Sequence, residues 1–510
     1  MDLEKQLERF FNYNQFRMGQ KEIISDVLEG RDVLGILPTG SGKSLCYQLP
    51  SLLLPHLTIV ISPLISLMID QVRETKAFHF KEVVALHSLL SYEERVSIIN
   101  ELDKYKIVYI SPELIQNRQI INALIKRKVS LFVIDEAHCI SQWGYDFRPD
   151  YLRLNGVIKM LNNPPILALS GTITTEIEKD IMIKLSRPKM IVHKYPMDRK
   201  NISLLVEKLA AYETKDKRLV EILKHYNAPT IVYFSSRKRA EEIAKLLGEK
   251  LPNRQVAYYH GGLDPESRLK IQQQFLYDQL QIVCATSAFG MGINKPNIRL
   301  VIHYHLPTQK ESFIQEIGRA GRDGNNSVSV LLFEQGDELI PRQLVENELP
   351  SEKEIRQFLN YLYILHEKNE SIPYDEQLLS EKLEINETKL KLLKFHMESH
   401  GIIVDNKIIY DQPLWNKVLQ HLLEFIEKRR KIKYRNVDQM LAYVHANQCL
   451  RNELYKEFQT KTESNEENCC SICGFSWTLV ENEQSCSSNH VSHDDLSWQH
   501  KLAKLLEIGV

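Results

Sequence analysis

The heptapeptide "PTGSGKS", Pro38 to Ser44, stands directly between the apolar run "VLGIL" and the helical "SLCYQL". Few stretches restrict a fold more. A glycine-rich turn between a strand and a helix lets backbone N–H groups close around phosphates, and the helix N-terminus adds positive potential. Thr39, Gly40, Ser41 and Gly42 form that turn, Lys43 reaches the β and γ phosphates, and Ser44 offers a hydroxyl to Mg²⁺. The strict pattern has glycine where this chain has Leu37, yet the flanking strand and helix favour a phosphate loop over a chance glycine-rich turn.

Around this loop, short apolar runs alternate with helical patterns. The runs "VLGIL", "TIVIS", "KIVYIS", "LFVID" and "ILALS" lack strict alternation, as strands buried on both faces do. The pattern pauses near Pro196 and restarts with "TIVYF", "VAYYH", "QIVCATS", "LVIHYH" and "VSVLLF". Two tandem parallel-sheet α/β domains are expected, with a boundary near 190 to 200. A chain of 510 residues has room for three or four domains of roughly 150 residues each.

Several function classes are disfavoured. The apolar "SLLLPHLTIVISPLISLMI" is interrupted by Pro55, His56 and Pro63, so a helix, a turn and a buried strand are expected there and not a membrane span. The opening "MDLEKQLERFF" is charged and amphipathic where a secretory signal would be apolar. Of eight cysteines, Cys46, Cys139 and Cys284 are scattered and four fall between Cys449 and Cys473. That spacing points to a reducing cytosol and one metal site, not a disulfide framework. A net charge of −1 leaves any nucleic-acid affinity to local patches such as "EKRRKIKYR" and "KLKLLK", each of which also reads as a solvated helix face.

The stretch "DEAHCISQWGYDFRPDY" follows the apolar "LFVI". A carboxylate at the end of a strand beside the phosphate loop suits Mg²⁺, and the next carboxylate suits the water that attacks the γ phosphate. Asp135 and Glu136 take these places; "DEAH" alone would also read as a helix N-cap. Trp143, Tyr145, Phe147 and Arg148 put aromatics beside an arginine, which suits stacking on bases or a hydrophobic lid. In "QEIGRAGRDG", Arg319 and Arg322 are expected on one side of a helix, where they suit the spread charge of phosphoryl transfer or pair with surface carboxylates. Supplied from the second domain, they would act only when the cleft closes.

Taken in order, "FNYNQFRMGQKEII", "PTGSGKS", "SPLISLM", "SPE", "DEAH", "SGT", "YFSSR", "HGGL", "CATSAFGMGINKPN" and "QEIGRAGRDG" resemble the motifs of RecQ-like DNA helicases of superfamily 2, over roughly residues 1 to 340. The resemblance implies two RecA-like domains, at 1–195 and 196–342, forming a motor that uses ATP and Mg²⁺. It places Tyr13, Arg17 and Gln20 at the adenine, with Asn12 and Met18 standing where glycine and proline are usual. A glutamine amide can exchange two hydrogen bonds with an adenine edge. Gly290, Gln315 and Arg322 would line the same nucleotide, and His138 would join Lys43, Asp135, Glu136, Arg319 and Arg322 in hydrolysis. Ser62, Trp143, Phe147, Arg148, Thr172, Ser235, Arg237, His260 and Thr286 would meet DNA. The third motif departs from the usual family form, reading Ser170-Gly171-Thr172.

The implied activity is 3′ to 5′ translocation on single-stranded DNA and duplex unwinding, in recombination, repair or fork maintenance. The cell site would be the cytoplasm, at the nucleoid, with a monomer as the working unit and a single-strand-binding protein as a candidate partner. Duplex DNA resists separation by about 1.4 kcal/mol per base-pair step, and a stacked base returns roughly 1 to 3 kcal/mol, so stacking on a few bases cannot open a long duplex. Repeated ATP cycles are required. An RNA helicase on the same two domains, or an annealing protein with ATP as a switch, are the alternatives.

Residues 350–412 are expected to form a winged helix: "SEKEIRQFLNYLYILHEK" is amphipathic, "NETKLKLLKFHMESHG" starts at Asn386 and stops at Gly401, and "IIVDNKIIYD" turns at Asp405-Asn406. Such a module meets duplex DNA or packs on protein. Residues 413–480 resemble the family's helical hairpin and zinc-binding subdomain, with Cys449, Cys470 and Cys473 on pattern, Glu467 at the second cysteine's place and Cys469 beside Cys470. The fourth ligand to a structural Zn²⁺ is Cys469, Glu467 or a residue such as Cys486; reduced structural cysteines are the alternative. With 37 residues after Cys473, the winged helix precedes the zinc ligands, as in a short bacterial RecS-like type. The 481–510 tail, ending in the amphipathic "LSWQHKLAKLLEIGV", would dock on the body or on a partner.

Overall fold

The computed structural model describes residues 2–141, 148–210, 212–290, 295–373, 375–404, 406–459 and 468–477. The first sheet holds seven strands: β1 (Val33–Ile36), β2 (Leu57–Ile61), β3 (Val83–Leu86), β4 (Ile107–Ile110), β5 (Val129–Ile134), β6 (Ile166–Ser170) and β7 (Ile191–Lys194). Their order is β3-β4-β2-β5-β6-β1-β7, and every pairing is parallel. β1, β2, β4 and β6 are buried along their whole length, which is why they read as unbroken apolar runs.

Strand order positions the site. β5, β6 and β1 are neighbours, with Ile134 opposite Ala168 and Ser170 opposite Ile36. The segments leaving their carboxyl ends, Asp135–His138, Gly171–Thr172 and Pro38–Ser44, therefore emerge side by side. The second sheet has six parallel strands: β8 (Ile202–Leu209), β9 (Thr230–Tyr233), β10 (Val256–Tyr259), β11 (Ile282–Ala285), β12 (Leu300–His303) and β13 (Ser327–Glu334). Their order is β10-β11-β9-β12-β13-β8, so β8 is an edge strand. β3, β7 and β8 were not among the runs that the apolar pattern picked out.

One expectation is corrected. Arg319 and Arg322 are not on a helix: the helix Lys310–Ile317 ends at Gly318, and both arginines lie in the turns that follow. Gly321, at φ +55°, turns the chain between them, and a Cβ there would lie 2.6 Å from the Asn325 carbonyl oxygen.

Helices Glu352–Glu367, Glu376–Leu383 and Glu387–Ser399 precede a hairpin of β14 (Ile403–Val404) and β15 (Lys407–Ile408). The Asn386 side chain caps the third helix by accepting from Lys389 N at 2.9 Å, and Gly401 follows its end at φ +76°. A 33-residue helix, Gln412–Val444, comes next. Its first half supplies Trp415, Val418, Leu422, Phe425 and Ile426 to the apolar core of this region, so that core runs past the boundary expected at 412. Among the described residues no helix is long and apolar enough to cross a membrane.

Candidate nucleotide cleft and cysteine cluster

A cleft of about 640 Å³ lies between the two sheets, lined by the phosphate loop, Asp135 and Glu136 on one side and Gly290, Gln315, Arg319 and Arg322 on the other. Gly40 and Gly42 adopt φ of +83° and +78°, and their missing side chains admit neighbours. A Cβ on Gly40 would lie 3.1 Å from Arg322 Cγ, and one on Gly42 would lie 2.8 Å from Gln20 Nε2. Thr39 faces both directions: a Cβ on Gly171 would be 3.7 Å from its Oγ1, and one on Gly318 3.2 Å from its Cβ. The loop is thus pressed between the third motif of its own domain and the arginine segment of the other.

Lys43 Nζ lies 4.0 Å from Glu136 Oε1. Burial lifts the Asp135 carboxyl to about 6, the Glu136 charge adds to this, and Lys43 opposes it. Asp135 Oδ1 accepts from Glu136 N at 3.0 Å, and the short 3₁₀ turn Ala137–Ile140 that follows has no side-chain cap. The helix-cap reading of "DEAH" is therefore not what the chain adopts. Glu136 itself stands at φ +49°, a left-handed conformation that aims its carboxylate beside the loop. Buried His138 places Nδ1 3.3 Å from Glu136 Oε2 and 3.1 Å from Ser170 Oγ, so it joins the carboxylate to the third motif.

Across the cleft, Arg319 is buried and its Nη1 donates to the Gly290 carbonyl. Burial draws Arg322 down to about 9, and the Arg319 and Arg199 charges push the same way. Two arginines on one wall of the cleft, opposite the phosphate loop, suit an anionic ligand between the domains. Gln315 is buried and lines the same cleft.

On the adenine side, Gln20 Nε2 donates to the Ser41 and Gly42 carbonyls at 2.9 and 3.0 Å, while its Oε1 accepts from Arg17 N at 2.9 Å. Arg17 Nη1 donates to the Gly40 carbonyl at 2.8 Å. The Gln20 amide is thus already spent on the phosphate loop, and reading a base edge would exchange some of these bonds. Tyr13 is half exposed and stacks near Phe11, with ring centroids 6.5 Å apart. Asn12 sits at φ +56° as the C-cap of the helix Leu3–Phe11, a place asparagine fills in glycine's stead. Ser44 begins the helix Leu45–Leu53 without a capping bond of its own side chain.

The expected DNA contacts are differently exposed. Arg237 is exposed, Ser235 and Thr286 are half-buried, and Ser62, Thr172 and His260 are buried. His260 Nε2 pairs with Glu241 Oε1 at 2.8 Å, and Ser235 N donates to His305 Nδ1 at 3.0 Å. Arg148 Nη1 donates to the Pro63 carbonyl at 2.9 Å, tying the segment after "DEAH" to "SPLISLM". Trp143, Tyr145 and Phe147 lie outside the described residues. Much of the basic charge is paired: Lys389 with Glu354, Lys433 with Glu348 and Arg430 with Glu346 and Glu427.

The four cysteines converge. The Sγ atoms of Cys449, Cys469, Cys470 and Cys473 all lie within 4.8 Å of one another, and those of Cys449 and Cys469 are 3.6 Å apart. Four thiolates about 2.3 Å from one Zn²⁺ would stand about 3.8 Å apart, so the set fits a closed tetrahedral site. A hydrogen bond from Cys469 draws the Cys470 thiol down against the opposing effect of burial, and the N–H groups of Cys473, Leu450 and Ile472 add to the lowering. Among the alternatives for the fourth ligand, Cys469 is in place; Glu467 and Cys486 lie outside the described residues. The cluster is stitched to the edge of the second sheet, where Leu204 N donates to the Cys469 carbonyl at 3.2 Å and Ser471 N to the Leu204 carbonyl at 2.9 Å.

Sequence reasoning missed two residues that serve this architecture. Arg199, in the chain between the sheets, donates to the Gly318 carbonyl at 3.2 Å and to the Gly321 carbonyl. Arg451 is fully buried beside Asp198 and the cysteines. Neither carries a motif signal, because their partners are mostly main-chain carbonyls.

Two parallel-sheet domains with a phosphate loop, a carboxylate pair and an arginine pair around one cleft define a two-domain helicase motor. A family model described as DEAD/DEAH box helicase matches residues 17–180, and one described as helicase conserved C-terminal domain matches residues 214–324. The chain is 38% identical over 509 residues to the probable ATP-dependent DNA helicase RecS of Bacillus subtilis, spanning 99% of each. It is 41% identical over 335 residues to the ATP-dependent DNA helicase RecQ of Haemophilus influenzae, covering 65% of this chain and 53% of that protein. Among solved structures, Mycobacterium smegmatis helicase Lhr bound to ssDNA and AMP-PNP shares the fold, with a TM-score of 0.55 at 21% identity over 67% of this chain and 50% of that one. The protein belongs to the RecQ-like family of ATP-dependent DNA helicases.

Proposed function

We propose that this chain hydrolyses ATP to move 3′ to 5′ along single-stranded DNA and to part duplex DNA, in recombination, repair or fork maintenance. The observation that carries the reading is the cleft itself, which gathers the phosphate loop and carboxylates of one sheet against the arginine turn of the other. Lys43 and the loop N–H groups hold the phosphates, Ser44 and Asp135 hold Mg²⁺, and Glu136 orients the attacking water. When bound there, Mg²⁺ would neutralise charge developing on the phosphates. Arg319 and Arg322 stabilise the transferred group only while the domains stay closed, which couples hydrolysis to interdomain movement. His138 passes the state of Glu136 to the third motif through Ser170.

Single-stranded DNA lies across the carboxyl ends of both sheets, at Ser62, Arg148 and Thr172 on the first and Ser235, Arg237, His260 and Thr286 on the second. Trp143 and Phe147 stack on its bases. The four cysteines hold one structural Zn²⁺, which cross-links a region with little core of its own. The protein acts as a monomer in the cytoplasm at the nucleoid, and a single-strand-binding protein is its candidate recruiter.

The test is strand displacement on matched duplexes with a 3′ or a 5′ single-stranded tail, with Mg-ATP, comparing wild type with Lys43→Ala. Unwinding of the 3′-tailed substrate alone, lost in the variant, is the expected result. DNA-stimulated hydrolysis without unwinding of either substrate would replace the helicase reading with that of a translocase. Stimulation by RNA in place of DNA would favour an RNA motor.

A further inference from the structure

The turn that carries the arginine pair is held from behind by residues that no motif contains. Arg199 Nη1 donates to the Gly318 carbonyl at 3.2 Å, and its Nη2 donates to the Gly321 carbonyl. These two carbonyls bracket Arg319, and Gly321 directly precedes Arg322. Asn201 Nδ2 adds bonds of 2.8 Å to the Gly321 and Asn325 carbonyls, and its Oδ1 accepts from Arg199 Nη2 at 3.3 Å. A guanidinium fork that spans both ends of one turn fixes it more stiffly than a single donor would, because its geometry is planar and pre-formed.

Arg199 is in turn fixed from the cysteine cluster. Arg451 Nε donates to Cys469 Sγ at 3.4 Å, and its Nη1 donates to the Arg199 carbonyl at 3.0 Å and to Asp198. Its Nη2 donates to the Ile202 carbonyl. Arg451 and Asp198 are essentially inaccessible, at 1% and 0% side-chain exposure, so this pair has no water to fall back on. The Gln459 side chain accepts from Met197 N at 3.0 Å, closing the same segment from the other side. One hydrogen-bonded chain therefore runs from the cysteine cluster through the linker to the arginine turn.

We propose that Arg199 is a positioning residue for ATP hydrolysis: anchored by Arg451 and the cysteine cluster, it sets the turn from which Arg319 and Arg322 reach the nucleotide. The inference rests on the role given above to those two arginines. It assigns the cysteine region a task beyond stability, that of holding the linker in the register hydrolysis needs. Displacing a catalytic group by about 1 Å costs on the order of 100-fold in rate, which sets the expected scale.

The experiment compares Arg199→Ala, Arg199→Lys, Arg322→Ala and the Arg199→Ala/Arg322→Ala double variant, each purified with its metal content measured. Thermal melting, affinity for a fluorescent single-stranded oligonucleotide, and kcat and KM for ATP under DNA stimulation are read in parallel. Expected for Arg199→Ala is an unchanged metal content, oligonucleotide affinity and KM within about 3-fold, and kcat down on the order of 100-fold. Arg199→Lys falls between, because one ammonium cannot span both carbonyls. The double variant loses less than the product of the two single losses, because the share of the Arg199 effect that passes through Arg322 is already gone.

A folded Arg199→Ala with wild-type kcat, or a double variant whose losses multiply, overturns the proposal. Should Arg199→Ala fail to fold, Arg199→Lys decides, and wild-type kcat in that variant overturns it equally. If Arg322→Ala keeps wild-type kcat, the role assigned to the arginine itself fails, and the positioning role falls with it. Loss in Arg322→Ala without loss in the Arg199 variants removes the positioning role alone.

Discussion

Gly290→Ala tests how tightly the arginine pair is set. Gly290 has a φ of +145°, and a Cβ built on it would lie 2.4 Å from both Cζ and Nε of Arg319, where ordinary contact starts near 3.4 Å. The guanidinium must retreat by about 1 Å or the backbone must give. The backbone term alone is roughly 1 to 3 kcal/mol for a side chain forced into a region that suits glycine. The displacement term follows from position: about 1 Å at a group that stabilises developing charge costs on the order of 100-fold in rate, or about 2.7 kcal/mol of barrier. Loss of the whole arginine sets the ceiling, at roughly 10³ to 10⁵. The assay is DNA-stimulated phosphate release at saturating ATP, with melting and nucleotide-analogue binding followed in the same preparation. Expected is a folded protein that binds nucleotide and turns over about 100-fold more slowly. A folded variant with kcat within 3-fold of wild type refutes the reasoning, because the clash would then have been relieved without moving the arginine from its working place.

The other predictions concern separate parts of the molecule. Gln20→Ala removes the amide that ties Arg17 to the Ser41 and Gly42 carbonyls and that would exchange those bonds for two with an adenine edge; at about 1 kcal/mol for each of the two bonds to the base, KM for ATP rises roughly 30-fold, and an unchanged KM would show that the amide does not read the base. Burial, with the Lys215 and Arg239 charges, holds His305 at about 3 against 6.5 for an ordinary histidine. Below pH 6.5 the unfolded chain binds a proton that the folded one refuses, so stability falls toward acid, by up to roughly 1.4 kcal/mol per pH unit from this group. His305→Gln, which can still accept from Ser235 N, should flatten the slope of denaturant-melt stability between pH 6.5 and 4.5; a wild-type slope would disprove the assignment. Cys469→Ser, read by metal analysis and melting, should lower both metal content and melting temperature, and full metal content would point to a fourth ligand elsewhere.

The motor was legible because its chemistry is local. "PTGSGKS" and "DEAH" each hold their working residues within seven positions, and the strands that carry them are buried on both faces, so they read as apolar runs. β7 and β8 were missed for the opposite reason. Both are edge strands exposed along part of their length, and "IVHK" and "ISLLVEKL" mix polar residues into the apolar run. The spacing of the arginine pair predicts a helix, because the pattern "GRAGR" does not say that Gly318 and Gly321 end the helix instead of sitting inside it.

What joins the parts was not legible at all, and the reason is chemical. A side chain that pairs with another side chain leaves two marks in a sequence, one for each partner. Arg199 binds the carbonyls of two glycines, and Arg451 binds two carbonyls besides Asp198 and Cys469. Carbonyls carry no letter, so such a bond leaves one mark, an arginine among the many a soluble chain displays on its surface. The distance along the chain compounds this, since 119 positions separate Arg199 from Gly318 and 252 separate it from Arg451. Only the strand order, which sets β8 at the sheet edge beside β13 and brings the cysteine segment against it, makes those residues neighbours. A motif scan therefore finds the groups that meet the nucleotide and passes over the groups that decide where they stand.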